Sequence, residues 1–185
     1  MLMLTTSENL AQTHYPPQPT VATQGCIETL EQGYQFLQSI TDEQYCYAAP
    51  PHITSTVGQH FRHLLDVFQA IYHADGIIDY NQRRRGDTVE TSRQKAIAEI
   101  DEFIHWLNWI EPASLTKPVR MLTEVSLTQT EVCEMMSTQE RELTFAALHA
   151  THHFAMAKAT LSLHHVETDD ALGYAPTTAS YLRGK

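Results

Sequence analysis

The chain has 185 residues, 42% hydrophobic and 18% charged, which is typical of a globular protein with one buried core. Twelve basic and 22 acidic side chains give a net charge of −10. This charge argues against sequence-independent binding to nucleic acid, which requires clustered positive charge. The three cysteines have no disulfide or metal-site spacing, and no apolar run approaches the roughly 20 residues that cross a bilayer. We therefore expect a single soluble, cytoplasmic domain over residues 1–185, with neither nucleic-acid nor membrane partners.

The first half of the chain predicts three helices after a leader. Residues 1–19 are polar and end in several prolines, so we expect a flexible leader. Apolar residues then recur every three or four positions over about 20–40 and about 55–75, which predicts two amphipathic helices. A third helix is predicted over about 90–110, where Pro112 stops it.

The connections and the second half complete the predicted fold. A polar crossover at 79–87 joins the second and third helices, and we interpret its basic run, Arg83–Arg85, as a solvated loop edge. Residues 118–135 alternate loosely, which predicts a small irregular or hairpin excursion. A fourth helix is predicted over about 138–164, followed by an irregular tail at 166–185. Four amphipathic helices with one long crossover favour an all-α four-helix bundle.

Histidines are concentrated on two of the predicted helices. His149 and His153 lie one turn apart on the same face of the fourth helix, about 40° from each other, so both imidazoles can reach one ion. His60 and His63 lie on the second helix, and bundle metal sites are assembled from facing helices. Either of these two can supply a third ligand, and the spacing does not choose between them. The alternative is that the histidines only pack in the core.

A carboxylate falls on the same face as the histidine pair. Glu142 precedes His149 by seven residues, or about two turns. Its carboxylate is suited to act as a general base, to orient an imidazole N–H, or to be a fourth ligand. The alternative is a first-turn glutamate that interacts with the helix dipole.

Two stretches resemble a known family. Residues 55–65 (STVGQHFRHLL) resemble the second-helix histidine motif of the DinB-like superfamily. Residues 137–155 (STQERELTFAALHATHHFA) resemble its last-helix HxxHH motif, and the likeness extends over about residues 20–165. The resemblance implies a four-helix bundle that binds a divalent ion, commonly nickel or zinc, through one histidine of the second helix and two of the last.

Carried over by position, the resemblance assigns three ligands. They are His63, His149 and His153, with His60 as a possible alternative ligand. The superfamily includes transferases and isomerases that use bacillithiol, mycothiol or glutathione. We therefore expect a metal-dependent thiol S-transferase that acts on a small electrophile with a low-molecular-weight thiol, with Glu142 as the candidate catalytic group.

Other functions remain open at this point. A metal-dependent hydrolase would use the same three histidines, and so would a non-catalytic metal-binding or stress-response module. The sequence also leaves open a homodimer formed through an apolar patch on the first or third helix.

Overall fold

The computed structural model describes residues 16–185, most of which lie in helices. Four helices are long: α1 (Val21–Ser39), α3 (Val57–Tyr72), α4 (Arg93–Trp109) and α6 (Gln139–Leu163). The shorter ones are α2 (Asp42–Tyr45), α5 (Pro112–Leu115) and α7 (Pro176–Arg183), with a 3₁₀ turn at Thr88–Glu90. Within this described part of the chain, no helix combines the length and apolar character needed to cross a membrane.

The two histidine-bearing helices begin at side-chain caps. Thr56 Oγ1 accepts a hydrogen bond from Gln59 N at 3.0 Å, and Gln59 Oε1 accepts one from Thr56 N at 3.0 Å, so α3 starts with a reciprocal capping box. Thr138 Oγ1 accepts from Arg141 N at 3.3 Å at the start of α6. These bonds satisfy amides that a helix cannot pair internally, and they fix the residue at which each helix begins.

The four long helices pack around an aromatic centre. α3 packs against α4 and α6, and α1 packs against the same two helices from the other side. The ring of Phe61 lies 5.6 Å from that of Phe36 and 5.6 Å from that of Phe154, measured between centroids. Gly33 makes room for this contact, because a Cβ there would lie 2.7 Å from Phe154 Cζ. The core therefore places α3 directly beside α6.

A sheet accompanies the helices, and it corrects the predicted fold class. Its strands are β1 (Ile77–Asp79), β2 (Pro118–Glu124) and β3 (Val132–Thr138). β1 runs parallel to β2, with Ile78 opposite Met121, and β3 runs antiparallel to β2, with Met135 opposite Met121. The all-α four-helix bundle is therefore wrong: residues 16–185 form a mixed α/β fold of seven α-helices and a three-stranded sheet.

The error in fold class has a physical cause. β1 is only three residues long and pairs with a strand about forty positions later, so no local periodicity predicts this strand.

The two ends of the chain also bear on the predictions. The helix α7 lies within the tail that was predicted to be irregular over 166–185. Of the leader predicted over 1–19, residues 1–15 lie outside the described part of the chain.

Ion pairs anchor the crossover that follows β1. Arg84 Nε donates to Asp66 Oδ1 at 2.7 Å, and its two terminal nitrogens donate to Glu99 at 2.8 and 2.9 Å. Arg62 donates to Asp66 Oδ2 at 3.1 Å and to Glu90 Oε1 at 2.9 Å. The network ties the crossover to α3 and α4, so at Arg84 the basic run is not a solvated loop edge.

Gly58 permits the close approach of α3 to the 3₁₀ turn. A Cβ at this position would overlap the carbonyl oxygen of Glu90 and lie 2.7 Å from Tyr45 Cε1. We expect Gly58→Ala to lower the free energy of unfolding by about 1 to 3 kcal/mol or more, because backbone must move to admit the methyl group. Urea denaturation followed by circular dichroism measures this loss.

Gly25 is the matched control in α1. A Cβ there has no neighbour within 4 Å, so Gly25→Ala should raise the free energy of unfolding by roughly 0.5 to 1 kcal/mol through helix propensity. Equal effects of the two substitutions would contradict the steric account.

Candidate metal centre

Three histidine side chains from two helices converge on one point. His149 Nε2 lies 3.1 Å from His63 Nε2 and 3.1 Å from His153 Nε2. One ring nitrogen from each residue lies within 4.8 Å of the other two. His63 comes from α3 and the pair from successive turns of α6, so the packing of the two helices creates the cluster. The three residues lie close enough together to bind a metal ion.

The spacing and chemistry of the three nitrogens suit such an ion. A ring N–H can be donated well to only one acceptor, whereas a cation can accept lone pairs from all three rings. Metal–nitrogen bonds of about 2.0 to 2.1 Å put neighbouring ligand nitrogens roughly 3.0 to 3.4 Å apart, and the observed 3.1 Å lies within this interval. Imidazole binds zinc, copper, iron and nickel alike, so the donors define a transition-metal site but not its metal.

Burial keeps the three imidazoles neutral. Burial, with the nearby charge of Arg83, lowers the pKa of His63 to about 4. Burial also lowers the pKa of His149 and, together with the surrounding imidazoles, lowers that of His153 strongly. A neutral ring retains a lone pair, so at pH 7 each of the three offers the form that binds metal.

His60 lies outside the cluster and contacts it through His153. Its Nδ1 lies 3.2 Å from His153 Nδ1, on the side of that ring turned away from His149. When the lone pair of His153 is on Nε2, its proton is on Nδ1 and is donated to His60. Then the proton of His60 is on Nε2, which is buried and has no hydrogen-bond partner within residues 16–185. His60 is thus placed to fix the tautomer of His153, a role that spacing along α3 does not reveal.

Glu142 is held by three neighbours and is completely buried. Its Oε1 accepts from Ser137 Oγ at 2.6 Å and from Arg141 Nη1 at 2.8 Å, while its Oε2 accepts from the Tyr80 hydroxyl at 2.7 Å. Tyr80 follows β1 and Ser137 belongs to β3, so the carboxylate joins the sheet to α6. These contacts are those of an anchor, and a catalytic role for Glu142 stays a prediction.

Asp66 follows the candidate ligand His63 on α3, but its carboxylate is paired with arginines. It lies one turn after His63, a spacing that makes it a candidate to orient that ring. Its carboxylate is instead bonded to Arg62 and Arg84. The residue therefore belongs to the ion-pair network of the crossover.

Two neighbours of the cluster were not identified from the sequence. Phe145 stacks on His149, with centroids 5.5 Å apart and planes 18° apart. Its position four residues before His149 is a signal of this contact, since such pairs meet on a helix. Arg83 is half-buried and its charge lowers the pKa of both His63 and His149, so its interpretation as part of a solvated loop edge is wrong. No sequence signal marks it, because its position depends on the path of the crossover.

Comparison with protein-family models, with curated proteins and with solved structures finds no match for this chain. The likeness to the DinB-like superfamily therefore stays a prediction from the two histidine motifs.

The buried carboxylate of Glu142 makes stability depend on pH. Burial raises its pKa, but the hydrogen bonds from Ser137, Tyr80 and Arg141 outweigh burial and hold the pKa below the ordinary value of 4.5. The folded state therefore favours the ionised form, and this contribution is complete above pH 4.5 and disappears as the pH falls below it. We expect Glu142→Gln to cost about 1.5 to 3 kcal/mol at pH 7, with a smaller difference from the wild type at low pH.

Denaturant titrations at several pH values measure this difference. Glu140→Gln is the control, since it removes the same charge from a partly exposed residue in the same first turn of α6. A Glu142→Gln effect that equals the Glu140→Gln effect, or that does not change with pH, would refute the anchoring role.

Proposed function

We propose that this protein binds a divalent transition metal, nickel or zinc, through His63, His149 and His153, and works as a thiol S-transferase on a small electrophile. The observation that carries the proposal is the convergence of three neutral imidazole nitrogens from two helices, at separations of 3.1 Å around His149 Nε2. The resemblance of both histidine motifs to the DinB-like superfamily supports the same reaction class.

The number of ligands favours a catalytic site over a structural one. Within residues 16–185 the cluster contains three histidines and no further cysteine or carboxylate. Structural zinc sites are closed by four protein ligands, whereas catalytic sites keep a position for substrate. When bound here, the ion would act as a Lewis acid that lowers the pKa of a thiol, so that the thiolate predominates at neutral pH.

The residues around the histidines supply positioning and apolar contact. His60 holds the Nδ1 proton of His153 and keeps the Nε2 lone pair directed at the cluster. Phe145 stacks on His149 and is 36% exposed, so it offers an apolar surface for the carbon skeleton of an electrophile. In the reaction the thiolate sulfur forms a bond to carbon while chloride leaves, or while an epoxide C–O bond opens and its oxygen takes a proton.

Metal binding is the first test. We expect the wild-type protein to bind about one equivalent of Ni²⁺ or Zn²⁺. The variants His63→Ala, His149→Ala and His153→Ala should each lose more than about 100-fold in affinity, beyond the 10- to 100-fold that loss of an outer hydrogen-bond partner costs. Titration calorimetry and elemental analysis of purified protein provide the measurement.

His152→Ala is the matched control for metal binding. His152 lies between the two proposed ligands in the sequence, but it is exposed and outside the cluster. This variant should bind metal like the wild type. If metal content were the same in the wild type and in His149→Ala, the proposed ligand set would be incorrect.

Turnover is the second test. We expect the metal-loaded protein to couple bacillithiol, mycothiol or glutathione to a chlorinated or epoxide acceptor, and we expect His149→Ala and chelator-treated protein to lose this rate. Mass spectrometry of the thioether product measures it. Cleavage of the acceptor by water without a thiol would indicate a hydrolase, and metal binding without turnover would indicate a binding module; either result contradicts the transferase.

A further inference from the structure

The sheet ends in a strand that is paired on one side only. The strand order is β1-β2-β3, so β3 (Val132–Thr138) lies at the edge and bonds to β2 alone. Within residues 16–185 no further strand continues the sheet beyond β3. An edge strand presents a row of N–H and C=O groups that can pair with another strand. The edge of β3 is therefore a candidate interaction surface.

The hydrogen bonds of β2 show which groups of β3 lie at this edge. Arg120 N donates to Gly76 O at 3.0 Å, so the backbone of Arg120 bonds towards β1. Backbone groups alternate in direction along a strand, so Met121 bonds towards β3, where Met135 lies opposite. By the same alternation, three residues of β3 direct their N–H and C=O groups away from the sheet: Val132, Glu134 and Met136.

The two edges of the sheet differ in how they are protected. At the other edge β1 has only three residues, and beyond its end the amide of Glu124 donates to Asn81 Oδ1 at 2.7 Å. β3 has seven residues and contains neither proline nor lysine, which commonly block an edge. Its one charged residue, Glu134, is paired with Arg120 of β2 at 2.6 Å. β3 therefore lacks the usual features that prevent strand addition.

Apolar side chains are exposed on both faces of β3. Met135 lies on the same face as the buried Met121, yet it is 43% exposed. On the opposite face, Val132 is 54% exposed and Met136 is 68% exposed. A strand added at this edge would cover part of the apolar surface, and cross-strand contacts of this kind stabilise a sheet.

From these features we propose that β3 pairs antiparallel with β3 of a second copy of this chain, which joins the two sheets across a twofold axis. An axis at Met135 places Met135 beside the partner's Met135 and Glu134 beside the partner's Met136. In this register the outward-directed N–H and C=O groups of Glu134 and Met136 face those of the partner, and all seven residues of each strand are paired.

Charge and length favour this register over its neighbours. An axis at Glu134 would set two like charges directly opposite each other, which destabilises a strand pair. An axis at Met136 would leave Val132 and Cys133 without an opposite residue. The register at Met135 has neither defect, so the sequence of β3 is suited to pair with itself.

A second copy is favoured over a flexible peptide because its strand is already ordered. Every residue of β3 is paired with β2 over Pro118–Glu124, and α6 follows directly at Gln139. Pairing of two such strands does not require ordering of a chain, a cost that a disordered segment has to meet on binding. The interface is narrow, so we expect a dimer of low affinity.

Disulfide crosslinking tests the register. The variant Met135→Cys is prepared in protein that also carries Cys46→Ser and Cys133→Ser, so that the remaining native cysteine is the buried Cys26. The two copies of residue 135 form a non-hydrogen-bonded pair with Cα atoms about 4.5 Å apart, a distance that a disulfide spans. We expect diamide to convert this variant to a covalent dimer on non-reducing electrophoresis.

Val132→Cys in the same background is the matched control. Residue 132 is an exposed position of the same strand, but in the proposed register its two copies are six residues apart along the strand direction, or about 20 Å. This variant should stay monomeric on the gel.

Sedimentation equilibrium over a range of protein concentrations tests the pairing itself. Met136→Pro removes an N–H that points away from β2, so it should weaken the dimer at least about tenfold while the fold is kept. Met136→Ala loses the side chain but keeps this N–H, and it should weaken the dimer clearly less. Circular dichroism of each variant reports whether the fold is retained.

The outcomes decide the proposal whatever metal the protein binds. A wild type that stays monomeric at every concentration, together with a Met135→Cys variant that does not crosslink, overturns it and leaves the edge to a strand of another protein. A dimer that Met136→Pro does not weaken also overturns it, as does crosslinking through Val132→Cys instead of Met135→Cys. If Met136→Pro does not fold, the crosslinking pattern decides.

Discussion

The contact between α3 and α6 is the constraint on which the candidate centre depends. Phe61 and Phe154 meet at 5.6 Å in the core, and each follows directly after a histidine, His60 and His153. Burial of such a ring contributes roughly 1.5 to 3 kcal/mol, and an aromatic pair adds about 0.5 to 1.5 kcal/mol. The apolar core therefore sets the distance between the two histidine-bearing helices. Packing of these two helices brings the imidazole nitrogens together.

Polar contacts around this core connect the sheet and the crossover to the helices that carry the histidines. The sheet is joined to α6 through Tyr80, Ser137 and the buried Glu142, while the crossover is joined to α3 and α4 through the ion pairs of Asp66. These two sets of bonds determine which side chains lie beside the histidines. The electrostatic environment of the three histidines is therefore determined by nearby side chains and not by the net charge of the chain. The chain carries a net charge of −10, yet the positive charge of Arg83 lies close enough to lower the pKa of two of the three clustered imidazoles, those of His63 and His149.

Much of the helical structure was predictable, and the fold class was not. The four long helices begin and end within a few residues of the predicted segments, because each carries a continuous apolar stripe with the period of a helix. Within the sheet, only the β2–β3 pair had a signal, which was the loose alternation over residues 118–135. β1 has three residues and pairs with a strand far along the chain, so it shows no periodic pattern of its own. A prediction from helices alone therefore gave an all-α bundle where the protein is mixed α/β.

The sequence by itself determined that His149 and His153 share a helix face, because the helical period fixes the angle between residues four apart. It also placed His60 and His63 together on another helix, but it left both as possible partners. Only the tertiary structure decided between them, since the rotation of α3 against α6 puts His63 in the cluster and His60 behind His153. The same holds for Arg83 and Glu142. Their surroundings come from segments distant in sequence, and packing rather than local spacing determines what each side chain meets.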